Sequence, residues 1–150
     1  MDLILWRHAE AEDGVPDTAR KLTSKGEKQA QKVAKWLKEH IESPVRLLVS
    51  PAVRTQQTAR ALNEKFETSE EVGLRTTVNR LLRAVDCPNA EGTVIVVGHQ
   101  PTLGQVAAFL LTGEEAEWDM KKGAVWWFEV VDNDGDLYAS VRAVIAPREA

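Results

Sequence analysis

The chain has 150 residues, a formal net charge of −4 and 43% hydrophobic residues, the size and composition of one ordinary globular domain spanning 1–150. The acid excess and a pI near 5.4 exclude bulk binding to nucleic acid or to an acidic membrane, although a small basic pocket can sit inside an acidic whole. One cysteine, Cys87, excludes an intrachain disulfide and a thiolate metal cluster.

The chain starts with no basic leader segment and an apolar run of only four residues, 3–6, so no secretory signal is expected. No stretch approaches the roughly 20 apolar residues that span a bilayer. The expectation is a cytoplasmic protein in a reducing compartment. Residues 3–6 read as a short buried strand that runs straight into Arg7 and His8. Ser24-Lys25-Gly26-Glu27 has capping-box spacing. Behind it Ala30, Val33, Ala34, Leu37 and Ile41 recur at helical spacing, which predicts an amphipathic helix over about 25–41. Leu47-Leu48-Val49 is a second strand. Ser50 as N-cap and Pro51 at the first helical position open a second helix with Ala59, Leu62 and Phe66 on one face.

Residues 74–85 hold an extended piece and a short helix, and 93–97 is a β-branched strand closed by Gly98. Residues 102–111 form an apolar helix stopped by Gly113. Residues 124–131 and 137–145 are two strands joined by the turn 132–136. Strand–helix repeats followed by a hairpin imply an α/β fold: a mainly parallel sheet between helical layers, with an antiparallel edge.

Three strand exits carry the polar residues of interest. The first ends in Arg7-His8, the second in Ser50-Pro51 with Arg54 one turn on, the third in Gly98-His99-Gln100-Pro101. Carboxyl ends of parallel strands share one edge, where open α/β folds place ligands. Two arginines and two of the three histidines are therefore expected in one crevice. Arginine presents a planar fork to phosphate oxygens, and a helix N-terminus adds backbone donors. A neutral imidazole can attack phosphorus, and a nearby positive field would keep His8 neutral.

These residues, with SPAVRTQQTA at 50–59 and VVGHQPTL at 96–103, resemble the histidine phosphatase superfamily, of phosphoglycerate mutase-like fold. Within it, the short length, RHAEAE, and the 17–30 stretch with Asp17, Arg20 and Leu22-Thr23 are similar to the small phosphohistidine phosphatases. The resemblance implies that His8 is the nucleophile and forms a transient phosphohistidine. It implies that Arg7 and Arg54 hold the phosphoryl oxygens, and that His99 binds the phosphoryl group in flight. It implies no metal and no cofactor. The implied partner is a protein phosphorylated on histidine, of a phosphorelay or phosphotransfer type.

Two departures bear on chemistry. Ala9 stands where larger members have glycine. The acidic proton donor that larger members carry in an insertion has no clear counterpart in 66–82, which leaves Asp17, Glu10 and Glu12 as candidates. A phosphorylated imidazole has a weaker P–N bond and depends less on a general acid, which otherwise supplies about 10²–10⁴-fold; this favours phosphohistidine over a sugar phosphate. Two alternatives stay open: a small-molecule phosphatase or mutase of the same superfamily, and a module that binds phosphoproteins without turnover.

Other features read as structural. Counting from Asp132 as a calcium loop puts Leu137 where glycine belongs and Ala143 where glutamate belongs. Trp126-Trp127-Phe128 lacks a basic groove and reads as packing. A cysteine phosphatase would have arginine six residues after Cys87, where Thr93 stands. His40 sits near a helix end, where the dipole favours it.

Overall fold

The computed structural model describes residues 1–42 and 45–150. Strands β1 (Asp2–Arg7), β2 (Val45–Val49), β3 (Glu67–Thr68), β4 (Thr93–Gly98), β5 (Val125–Asn133) and β6 (Asp136–Ile145) form one sheet of order β3-β2-β4-β1-β5-β6. β4 pairs in parallel with both β1 and β2, β2 with β3, and β5 runs antiparallel to β1 and β6. The fold is α/β with an antiparallel edge.

Strand alternation sorts the core into two layers. Leu3, Leu5, Leu48, Val94 and Val96 face one side and pack with residues of helices α3 (Val78–Ala84) and α4 (Thr102–Thr112). Ile4, Trp6, Leu47, Val49, Ile95 and Val97 face the other, against α1 (Ser24–His40) and α2 (Val53–Arg60). Consecutive residues of β1 thus feed opposite layers, which is why a fully apolar run is stable there. Leu3, Ile4, Leu5 and Trp6 are all completely buried, and each of the three aliphatic side chains contributes about 1.5–3 kcal/mol.

Several boundaries differ from the sequence reading. Thr23, not Ser24, caps α1: its hydroxyl accepts the Gly26 N–H at 2.9 Å and donates to the Glu10 carboxylate at 2.8 Å. The tertiary bond to Glu10 selects threonine over its neighbour. α2 starts at Val53 rather than Pro51, with Ala52 at the cap, which has no side-chain acceptor and makes no cap bond. α2 also ends at Arg60, so Leu62 and Phe66 pack on the same layer from beyond the helix. Glu67–Thr68 adds a two-residue edge strand, and Glu70–Val72 a short 3-10 turn. The hairpin strands run longer than expected. Their turn narrows to Asp134-Gly135, both at positive φ (53° and 92°), with Gly135 N–H donating to Asp132, as two-residue hairpins require. No helix among the described residues is long and apolar enough to cross a membrane.

Candidate active site

The parallel pairing of β1, β4 and β2 brings their carboxyl ends to one edge. Arg7 lies opposite Gly98, and Val49 opposite Val97. His8 N–H then donates to Gly98 O at 3.1 Å, and Ser50 N–H to Val97 O at 3.1 Å. The three exits are therefore stitched by backbone bonds one residue past the sheet. His8 and His99 face each other there, with ring centroids 5.5 Å apart and planes tilted by 53°. His8, Arg54 and His99 are buried, and Arg7 is half-buried.

His8 is held by its neighbour. Its Nδ1 lies 2.7 Å from Ala9 O. A carbonyl only accepts, so Nδ1 carries the proton and Nε2 keeps its lone pair. Ala9 is itself fixed, fully buried with its N–H donating to Thr58 Oγ1 at 3.1 Å. Burial pushes the His8 imidazole down to about 4, the charges of Arg54, Arg7 and Arg20 push the same way, and the Ala9 bond opposes them. The neutrality expected from the positive field is present, but desolvation is its main cause. His99 is pushed down to about 3, again chiefly by burial, then by His8 and Arg54.

The two arginines are anchored by one part of their forks and unpartnered at another. Arg7 Nη1 donates to Met120 O at 2.7 Å. Burial lowers its basicity, with the Asp119 charge opposing. Arg54 Nη1 and Nη2 donate to Asp17 O at 2.8 Å and Asp17 Oδ2 at 3.1 Å. Arg7 Nε, Arg54 Nε and His99 Nδ1 are the buried side-chain nitrogens and oxygens left without a hydrogen-bond partner among the described residues. Buried polar atoms are normally paired, and leaving one unpaired costs about 1–3 kcal/mol. All three belong to residues at the strand exits, where the charges of Arg7 and Arg54 act on the His8 and His99 rings.

Of the three candidate acids, Asp17 reaches the site as an ion-pair partner. Its carboxylate bridges Arg20 and Arg54, and those hydrogen bonds, Arg20's first, hold it below the usual carboxylate range. A carboxyl kept ionised this way is a poor proton donor. Glu10 takes the Thr23 hydroxyl bond and braces the start of α1. Gly26 lies so close that a Cβ there would clash with the Glu10 carbonyl. Glu12 is exposed, its backbone paired with Lys21 and Arg20. Cys87 is raised to about 11, mainly by burial, and is no thiolate nucleophile at neutral pH.

Three contributors escape a reading of the sequence. Ser50 Oγ lies 2.7 Å from His99 Nε2. Its place at a strand exit was the available signal, but the same position also fits an N-cap. The segment before β5 is tied to the end of β1: Met120 O accepts from Arg7, and Gly123 N–H bonds the carbonyls of Arg7 and His8. Nothing local in 113–124 marks it. Gln57 and Thr58, which read as packing or capping, tie α2 to the first loop through Leu22 N–H and Ala9 N–H.

Comparison with known proteins agrees with this geometry. A model of the histidine phosphatase superfamily (branch 1) matches residues 3–77, which include His8, Arg7 and Arg54. The chain is 34% identical over 126 residues to the phosphohistidine phosphatase SixA homolog of Haemophilus influenzae, covering 73% of this chain and 77% of that one. It is 31% identical over 124 residues to phosphohistidine phosphatase SixA of Escherichia coli K12, covering 76% of each. The structure of the protein histidine phosphatase SixA complexed with tungstate superposes with a TM-score of 0.84 at 25% identity, over 99% of this chain and 98% of that one. The phosphoserine phosphatase of Entamoeba histolytica shares the fold, at 16% identity, a TM-score of 0.72 and coverage of 99% and 98%. Strand order, paired histidines and matched motifs converge on one assignment: the chain belongs to the histidine phosphatase superfamily.

Proposed function

We propose that this protein is a phosphohistidine phosphatase that removes the phosphoryl group from a histidine displayed on another protein. The observation that carries the reading is the pairing of a free His8 Nε2 lone pair with three buried, unpartnered donor positions on Arg7, Arg54 and His99. His8 Nε2 attacks phosphorus, and the substrate's P–N bond breaks with its electron pair returning to the leaving imidazole. Charge spreads onto the phosphoryl oxygens, where the two arginines and His99 hold it. Water then attacks phospho-His8, the new P–N bond breaks, inorganic phosphate departs, and His8 returns to its neutral form.

The engagement of Asp17 and Glu10 in other bonds favours an imidazole leaving group. Asp17 is held ionised and Glu10 is engaged in the α1 cap. A phosphorylated imidazole carrying a proton on its other ring nitrogen leaves as neutral imidazole and draws no proton from the enzyme. An alkoxide leaving group would lack that help. The relatives named phosphohistidine phosphatases point the same way. The setting that fits is a cytoplasmic phosphorelay or phosphotransfer protein as substrate, with residues 1–150 acting as one catalytic domain.

A substrate panel tests the reading. Phosphohistidine protein or peptide should be hydrolysed with kcat/KM at least about tenfold above sugar phosphates and phosphoglycerates, a difference of about 1.4 kcal/mol in transition-state stabilisation. Rapid mutase turnover without phosphohistidine hydrolysis would reverse the preference. Tight phosphate binding with no turnover on any substrate would point to a binding module instead.

A further inference from the structure

We propose that Ser50 is a positioning residue that locks His99 in the neutral tautomer with its proton on Nδ1, making His99 a hydrogen-bond donor to the transferring phosphoryl group. This rests on the phosphoryl-transfer reading above but reaches to a residue outside the arginine–histidine set. Ser50 is fixed at its backbone. Its N–H donates to Val97 O, and its carbonyl accepts from Thr55 Oγ1 and Gln56 Nε2, both at 2.9 Å. The residue is 1% exposed, so solvent offers its hydroxyl no alternative partner.

The direction of the Ser50–His99 bond follows from counting donors. A serine hydroxyl has one proton to give and two lone pairs. Among the described residues the Ser50 hydroxyl has two partners: the Ala52 N–H at 3.4 Å and His99 Nε2 at 2.7 Å. A backbone N–H can only donate, so the hydroxyl proton has a single acceptor, His99 Nε2. Nε2 is then unprotonated, and in a neutral ring the proton resides on Nδ1. That nitrogen is buried and unpartnered among the described residues. The His99 ring sits 5.5 Å from the His8 ring and feels the charges of Arg54, Asp17 and Arg7. The opposite tautomer would aim a lone pair at phosphoryl oxygens and leave the serine proton unbonded. His99 therefore serves as an oriented neutral donor rather than as a cation, and Ser50 fixes which nitrogen donates.

Nitrogen-15 NMR of histidine-labelled protein reads the tautomer directly, without substrate. In the wild-type protein the His99 Nδ1 should show a protonated, pyrrole-type shift and Nε2 an unprotonated, pyridine-type shift. In Ser50→Ala the His99 signals should move toward a tautomer mixture. The kcat on phosphohistidine should fall about 10- to 100-fold with KM changed less than threefold, since the lost interaction matters most in the transition state. Ser50→Thr, which retains a hydroxyl, should recover the wild-type His99 shifts. Protonated Nε2 in the wild-type protein overturns the proposal, even if Ser50→Ala does not fold. So does Ser50→Ala with unchanged shifts and kcat within twofold of wild type. If the substrate panel fails while the wild-type tautomer is as stated, the substrate reading falls and this assignment stands.

Discussion

The two ends of β1 carry charge in opposite ways. At the amino end, Asp2 accepts from Trp127 Nε1 and pairs with Arg142, whose guanidinium lies 4.8 Å from the centre of the Trp127 ring. Every partner is present, and Arg142 is half exposed. At the carboxyl end, Arg7 and His8 meet Arg54 and His99 with three buried nitrogens unpartnered among the described residues. The amino end is a surface ion pair of the kind worth about 0–1 kcal/mol. The carboxyl end brings two arginines and two imidazoles together, with both rings and Arg54 buried. The contrast between the two ends is open to experiment.

The largest effect is expected at the nucleophile. His8→Ala should lower turnover by more than about 10³-fold and leave no phosphoenzyme, measured by steady-state hydrolysis and by labelling. Next come the arginines. Arg7→Met and Arg54→Met should each reduce kcat by about 10²–10³-fold, while the Arg7 variant keeps or raises Tm, because a desolvated guanidinium has been replaced by an apolar side chain. Asp2→Asn, at the other end of the same strand, should do the reverse: activity within twofold and a stability loss of no more than about 1 kcal/mol, read by thermal melts. Equal loss of activity at both ends would break the comparison.

A pH titration of stability sharpens it. His8 and His99 have folded values near 4 and 3, below the unfolded value of 6.5. Above about pH 6.5 both are neutral in either state and contribute nothing to the pH dependence. As pH falls below 6.5 the unfolded chain takes up protons that the folded protein refuses. Stability is then lost at up to about 1.4 kcal/mol per pH unit for each histidine. The loss levels off near pH 4 for His8 and near pH 3 for His99. Asp17, Glu67 and Glu71, whose pKa values lie below their ordinary 3.8 to 4.5, add losses only below that ordinary range. A double variant His8→Asn/His99→Asn should therefore flatten the unfolding free energy between pH 6.5 and 4.5. An unchanged slope in chemical denaturation would contradict the buried, neutral pair.

The smallest effects concern the acids. Asp17→Asn should cost only a few-fold, chiefly in KM, by loosening Arg54. A kcat loss of about 10²–10⁴-fold would instead make Asp17 the proton donor. Glu10→Gln should keep activity within about threefold, since the amide oxygen still accepts the Thr23 hydroxyl.

Much of this was legible in the chain, for physical reasons. The 3–6 run and the β-branched 93–97 run are patterned by burial on both faces, so strand type and parallel arrangement followed. Parallel arrangement alone then put Arg7, His8, Arg54 and His99 at one edge. What local pattern could not supply was the choice among equivalent partners. Ser50 fits a helix cap as well as a histidine partner, and the structure spends it on His99. Ser24 fits a cap as well as Thr23, and the Glu10 carboxylate decides. The segment holding Met120 and Gly123 has no periodicity of its own, because its role is defined by residues more than a hundred positions away. The cause of His8 neutrality was also hidden, since burial of a ring is a property of the packed fold.

The central claim is that His8 becomes phosphorylated. Rapid mixing with a phosphohistidine protein, quenching in base, and mass spectrometry of the peptide containing residue 8 test it most directly. A base-stable, acid-labile phosphoryl group should form on His8 and decay within the turnover time, and be absent in His8→Ala. Full turnover with no phosphorylated His8, or the phosphoryl group found on another residue, would contradict it.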